Sequence, residues 1–208
     1  FVKGRLKERY ADYSPQTTVR FFESIYADNP TNENKYSFIS ALQSNGQTEE
    51  ALKLISEILN KFPKNLILNI TKSEILLSGQ RLDDAKQTID EVLKISPDNY
   101  PASILKSKIL SAKKETIKAE EILRDLLISK NRNPSLWMQL SEVQRAGKNI
   151  VGYHLSRGEY FTLIGDFDNA LNQFQFALSL SGNSFQTSET IMTKIKFVQS
   201  RLAKRRGI

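Results

Sequence analysis

Apolar residues recur along this chain at intervals of four and three, the spacing that draws one stripe down an α-helix. Ala51, Ile55 and Ile58 make one stripe, Ala85, Ile89 and Val92 a second, and Ala119, Leu123 and Leu126 a third. The three sets lie 34 residues apart, and Pro63 and Pro97 share that interval. A period of this length marks stacked helical hairpins. Each unit therefore predicts two helices. The small Ala opens the second helix where the pair approaches closely. Pro ends that helix, because it has no N–H to donate and disfavours α geometry in the residue before it. Gly46 and Gly79 are expected to close the first helix with a left-handed cap.

The pattern continues in both directions. Gly165, Ala170, Phe174 and Ala177 repeat it, but Ala170 stands 51 residues after Ala119, one and a half periods. The extra half is a single helix from Pro134 to about Gly147, with Trp137, Leu140 and Val143 on its apolar side and Trp137 expected in the core. Ile150 to Ile164 is then the first helix of the last pair. A closing helix, about Ser184 to Lys204, carries Ile191, Ile195, Val198 and Leu202 on one face and caps the end of the array. Read backward by one period, Thr17, Phe21 and Ser24 fall in register before Asn29-Pro30.

The expected fold is all-α: a right-handed α-solenoid of helix pairs with one extra half-repeat helix and a C-terminal capping helix. It forms a single domain over 1–208. Within it lie a degenerate leading pair at 1–30, whose first helix is FVKGRLKERY, and repeats at 32–63, 66–97 and 100–133. The extra helix covers 134–148, the last repeat 149–182 and the cap 184–206.

Composition limits the chemistry. The chain is 39% apolar and 25% charged, enough to bury a sizeable core. It has no cysteine, which excludes disulfides, thiolate zinc sites and a cysteine nucleophile together. No apolar run approaches the roughly 20 residues that span a bilayer. The opening Phe-Val-Lys-Gly lacks Met, so the chain is expected to be a piece of a longer protein. Net charge is +7, unevenly placed: residues 1–100 hold 13 Lys+Arg against 14 Asp+Glu, and residues 101–208 hold 17 against 9. A basic half suits an acidic protein, an anionic surface or nucleic acid. Lys106, Lys113, Lys114 and Lys118 lack the interleaved aromatics of a nucleic-acid track, so no nucleic acid partner is expected.

One histidine, His154, cannot supply the ligands and general base of a metallopeptidase. It is expected to pack at the aromatic position of a first helix. GYHLSRGEY, with Gly152 and Gly158, follows no strand and lacks phosphate-loop spacing. The pairs Glu49-Glu50, Asp83-Asp84 and Glu120-Glu121 are expected in the first turn of each second helix, complementing its dipole. No catalytic residue, metal ligand or cofactor is therefore expected in this chain, and function is expected to reside in a surface. In such arrays the first helices line a concave groove. Helical spacing assigns to it Tyr36, Ser40 and Gln43, then Ile70, Glu74 and Leu77, then Ile104, Lys108 and Ser111, and finally Leu155, Glu159 and Thr162. This mixed polar and aliphatic set lacks the Lys, Arg and Asn cluster that clamps a terminal carboxylate.

Gly158-x-x-Phe161, Gly165, Ala170-x-x-x-Phe174 and Ala177, together with the Ala-to-Pro spacings upstream, resemble the tetratricopeptide-repeat signature over residues 32–182. Lys35, Asn69 and Ser103 replace its first-helix Trp. The last third is similar to the end of BepA-type zinc metallopeptidases, the beta-barrel assembly-enhancing proteases. The similarity runs from Asn133 through the Trp137 helix, Glu159-Tyr160, the Gly165-Asp166 turn and the terminal helix. It implies a periplasmic protease-chaperone of outer-membrane protein assembly and quality control, with zinc held by an HExxH domain upstream. It also implies protein partners: that catalytic domain, outer-membrane clients or the assembly machinery. The HExxH motif matches no position here. A stand-alone adaptor, or a binder of anionic surfaces or nucleic acid through the basic half, are the other readings.

Overall fold

The computed structural model describes residues 14–182 and 184–206; the FVKGRLKERY helix expected at the start lies outside them. Eleven helices and no strand occur among the described residues. They are α1 (Pro15–Asp28), α2 (Asn32–Ser44), α3 (Thr48–Lys61), α4 (Leu66–Ser78), α5 (Leu82–Ile95), α6 (Tyr100–Ala112), α7 (Thr116–Lys130), α8 (Pro134–Ala146), α9 (Ile150–Leu163), α10 (Phe167–Leu180) and α11 (Phe185–Arg206). None is long and apolar enough to cross a membrane among the described residues. The chain divides inside α6, after Leu105, into two compact units. The sequence reading treats 1–208 as one domain. In a repeat array, however, each hairpin packs only on its neighbours, and no common centre gathers the whole chain.

The stripes bury as their spacing predicts. In the first unit Ala51, Ile55, Ala85 and Ile89 are wholly inaccessible, and Ile58 and Val92 are nearly so. In the second, Ala119, Leu123 and Ala170 are wholly buried, as is Ala177, with Phe174 at 1%. The small residue at each helix start lets its partner helix approach closely. Leu127 is buried in α7 where Leu126 was expected; Leu126 is half-buried. Helix α1 departs from the backward register as well. Thr17, Phe21 and Ser24 face solvent, while Val19 and Phe22 are buried and Ile25 is half-buried. Its stripe sits one residue late, because Ser14 caps the helix through the Thr17 N–H (3.2 Å) and Pro15 begins it.

Helix ends explain the period. Helices α3 and α5 stop two residues before Pro63 and Pro97, with Phe62 and Ser96 outside helical geometry as a following proline approaches. Between the helices of a pair, one residue adopts positive φ: Gly46 (+75°), Gln80 (+59°), Lys114 (+64°) and Lys148 (+59°), each 34 residues after the last. Gly165 and Gly182 follow at half that interval. Beside the first five of these, the next residue's N–H returns to a carbonyl five residues back: Gln47 to Leu42, Arg81 to Leu76, Glu115 to Leu110, Asn149 to Gln144 and Asp166 to Phe161, at 2.8–2.9 Å. This is the Schellman closure. The expected left-handed cap at Gly79 is corrected: its neighbour Gln80 carries the positive φ.

Gly79 is glycine for another reason. A Cβ there would stand 2.4 Å from Thr48 Cγ2, and one at Gly147 would meet Thr116 Oγ1 at 2.8 Å in the same way. At both places the start of a second helix is seated on the end of the following first helix. Substitutions separate the two causes. Gly46→Ala meets open space and is expected to cost about 1 kcal/mol from backbone strain alone. Gln80→Gly removes that strain and raises the urea midpoint. Gly79→Ala lowers it by contact, and Thr48→Ala restores much of the loss. A Thr48→Ala change that also rescued Gly46→Ala would refute this separation.

Candidate partner-binding surfaces

Within the first unit, α2 and α4 lie side by side on the predicted groove face, and Tyr36 fixes them there. Its hydroxyl is 2.9 Å from Thr71 Oγ1, on a residue that is itself 4% exposed. Tyr36 therefore also holds two first helices together. Ser40, Gln43, Ile70, Glu74 and Leu77 are half-exposed on the same two helices, and Ile104 is half-buried on α6. Lys35, at the repeat's Trp position, reaches across to Glu57 of α3 (2.6 Å) and lies 5.4 Å from the Tyr26 ring centroid. Its bond to Glu57 raises the lysine pKa and lowers that of the carboxylate. Asn69, at the next such position, donates to the Pro63 and Asn65 carbonyls. Polar residues there make local bonds in place of aromatic packing.

In the second unit Lys108 is exposed and Ser111 half-buried on α6. Leu155 packs against the Ala170, Phe174 and Ile191 cluster. Glu159 is ion-paired with Lys194 of α11, and the Thr162 hydroxyl returns to the Gly158 carbonyl (2.8 Å). Leu155 and Glu159 thus join α9 to the cluster and to α11. Capping an array requires its last first-helix to be covered, and these residues do the covering.

The other singled-out residues are likewise placed by packing. His154 is half-buried; its Nδ1 lies 2.9 Å from Gln173 Oε1, and its ring centroid is 5.4 Å from that of Phe176. Trp137 is half-buried, where full burial was expected. Its indole N–H donates to the Asn131 carbonyl (2.6 Å), while Leu136 and Leu140 fill the core in its place. An indole needs a partner for its N–H, and the open end of α7 supplies one. Glu49-Glu50 and Asp83-Asp84 do stand in first turns, but α7 has no acid there.

Glu120 instead holds a network that the sequence reading missed. Gln144 Nε2 (3.0 Å), Arg124 (2.6 and 2.9 Å) and Asn149 Nδ2 (3.4 Å) all donate to it, and Gln144 Oε1 accepts from Ser156 Oγ (2.7 Å). Gln144 and Ser156 are 1% and 2% exposed. Burial by itself raises the Glu120 pKa, but the bonds from Gln144, Arg124 and Asn149 outweigh it and hold the group below the ordinary carboxylate value. The network locks α8 between α7 and α9. No group of three His, Asp or Glu side chains is placed to hold a metal ion among the described residues.

A depression of about 680 Å³ opens at an end of the second unit, where the α7–α8 loop meets the end of α9, the start of α10 and the last turns of α11. Thr162 and Leu163 form part of its wall, and Arg132, Arg201, Lys204 and Arg205 also line it.

Residues 42–95 match the tetratricopeptide-repeat family model. The chain carries the tetratricopeptide-repeat fold. A tetratricopeptide repeat protein from Parabacteroides merdae aligns with a TM-score of 0.58 at 17% identity, over 94% of this chain and 81% of that one. A thermophilic tetratricopeptide protein of Thermus thermophilus aligns at 0.55 and 18%, over 90% and 94%. YrrB, described as a tetratricopeptide protein with an unusual peptide-binding site, aligns at 0.56 and 12%, over 89% and 97%. No curated protein matches the sequence.

Proposed function

We propose that this chain is a non-catalytic protein-binding module, and that it serves a BepA-like periplasmic zinc metallopeptidase whose active site lies elsewhere on the polypeptide. The observation that carries the binding reading is the first-helix face of the first unit. Tyr36 and Thr71 join α2 to α4, and beside that bond Ser40, Gln43, Ile70 and Leu77 stay half-exposed while the opposite sides of the same helices are fully packed. Aliphatic and amide groups held on rigid helices suit an extended or helical peptide, as does the peptide-binding role of the similarly folded YrrB. The chain would supply no zinc ligand and no cofactor. By holding a client or an assembly subunit it would raise that protein's effective concentration near a protease.

The association with a metallopeptidase of outer-membrane assembly, and the periplasmic location, are supported by the resemblance of the Trp137 helix, the Gly165-Asp166 turn and the terminal helix. A photocrosslinker placed in cells at Gln43 or Lys108 tests the binding reading. Capture of a discrete protein at these positions, and none from the exposed Lys53 on α3, is the expected result. Equal labelling from Lys53 would reject the face. An HExxH helix in the full gene supports the protease association, and its absence there removes it.

A further inference from the structure

Among the described residues, the depression at the end of the second unit is cationic without a compensating carboxylate. Arg132, Arg201, Lys204 and Arg205 line it together with Phe167 and Phe197, and no carboxylate is among its lining residues. Several basic side chains elsewhere in the unit are ion-paired: Lys118 with Glu115, Arg124 with Glu120, Arg145 with Glu142 and Lys194 with Glu159. None of the four in the depression has an ion-pair partner among the described residues. Phe197, Arg201, Lys204 and Arg205 follow one another by four, three and one along α11, so a single helix face delivers them together. Arg132 arrives from the α7–α8 loop and completes the far side. Uncompensated like charge raises the energy of the free protein locally and is relieved by an anion.

We propose that this depression binds an acidic protein segment, its carboxylates meeting the guanidinium rim and one apolar side chain resting against the two phenylalanines. The proposal rests on the protein-binding reading above and adds a second, electrostatic contact to it. Arginine forks receive carboxylates in paired hydrogen bonds, and three of the four cations are arginines. The rings argue against nucleic acid. Phe167 packs against the Ala170 and Phe174 cluster, and the Arg201 guanidinium lies 5.0 Å over the Phe197 ring. What these contacts leave of each ring suits one apolar side chain better than the broad platform on which a base stacks. The ion pairs at Arg124, Arg145 and Lys194 also interrupt any basic track along which a phosphate backbone would run.

Fluorescence anisotropy on the whole chain tests this with three labelled probes: acetyl-Glu-Glu-Phe-Glu-Glu-amide, the same peptide with Gln for every Glu, and a short poly-dT strand. The acidic peptide is expected to bind and the Gln peptide to bind at least about tenfold more weakly. Arg132→Gln combined with Arg201→Gln weakens the acidic peptide by a similar factor, whereas Arg145→Gln, outside the depression, leaves it unchanged. Circular dichroism verifies that both variants stay folded. Equal binding of the acidic peptide to the wild-type chain and the double variant overturns the proposal, as does equal binding of the Gln peptide. Poly-dT binding that is lost in the double variant, without peptide binding, would make the depression a nucleic-acid site. Crosslinking at Gln43 and Lys108 does not depend on Arg132 or Arg201, so these outcomes leave the groove reading standing or falling by itself.

Discussion

Gly158→Ala is expected to lower the melting temperature by several degrees. Gly158 is buried on α9, and a Cβ added there would lie 2.3 Å from Phe174 Cε1 and 2.5 Å from Cδ1. Phe174 cannot swing away, because it is 1% exposed and sits among Ala170, Ala177, Ile191 and Val198. Either α9 and α10 separate or the ring leaves its rotamer. Overpacking of this kind costs about 1–3 kcal/mol, and about 2–4 °C follows from each kcal/mol in a chain of this size. Phe174→Leu by itself leaves a cavity. Combined with Gly158→Ala it provides room for the new methyl, so the double variant should lose clearly less than the sum of the two single losses. Strict additivity in thermal melts would show that the ring and the glycine are not coupled.

Gln144→Leu has the second largest expected effect. The leucine removes the acceptor of the Ser156 hydroxyl and one donor to Glu120, and strands the hydroxyl at 2% exposure. An orphaned buried polar group costs about 1–3 kcal/mol. Adding Ser156→Ala should recover much of this, since an apolar pair leaves nothing unsatisfied. The pH dependence supplies an independent readout. Glu120 has a depressed folded pKa, so its contribution to stability is present above the unfolded carboxylate value and is lost as pH falls through the folded one. Removing the Gln144 bond raises that folded value. The acid-side fall of the urea midpoint should therefore be smaller in Gln144→Leu than in the wild-type chain, and complete at higher pH. Superimposable acid limbs would mean that Gln144 does not tune Glu120.

Neither effect depends on residues that look unusual in the sequence. Gly158 is legible as a close-contact position, because it falls at the small residue of a recurring pattern. Gln144 carries no such signal: it lies on the buried side of α8 among polar neighbours, and only the arrival of Ser156 from α9 and Glu120 from α7 turns it from a solvent residue into a core one. Gly152 belongs to the same place. A Cβ there would press on Asn149 Nδ2 at 2.6 Å and Gln144 Nε2 at 2.8 Å, so the glycine makes room for the network.

For the proposed groove, spacing supplies helix positions but not what else the side chains there touch. Spacing along α2 and α9 places Tyr36 and Glu159 on the face of the first helices. What occupies that face beside them, Thr71 and Lys194, comes from residues 35 positions away. The cationic depression is more distant still from a linear reading. Helices α8, α9 and α10 all lie between Arg132 and the helix that carries Arg201, and along the chain the basic half shows only an excess of charge.

The sequence by itself determined that this protein is a tetratricopeptide-like array of helical hairpins. It also located the close contacts at Ala51, Ala85, Ala119 and Ala170, because side-chain volume and backbone chemistry at a fixed period act locally. Only the tertiary structure decided that Gln80, Lys114 and Lys148 take the left-handed turn that Gly46 takes openly. It alone decided that Tyr36 and Glu159 bind neighbouring helices, and that four cations converge beside Phe197. A tolerated backbone strain leaves no mark in residue type. A side chain's partner depends on which helix is seated against it, a choice made by the packing of whole hairpins.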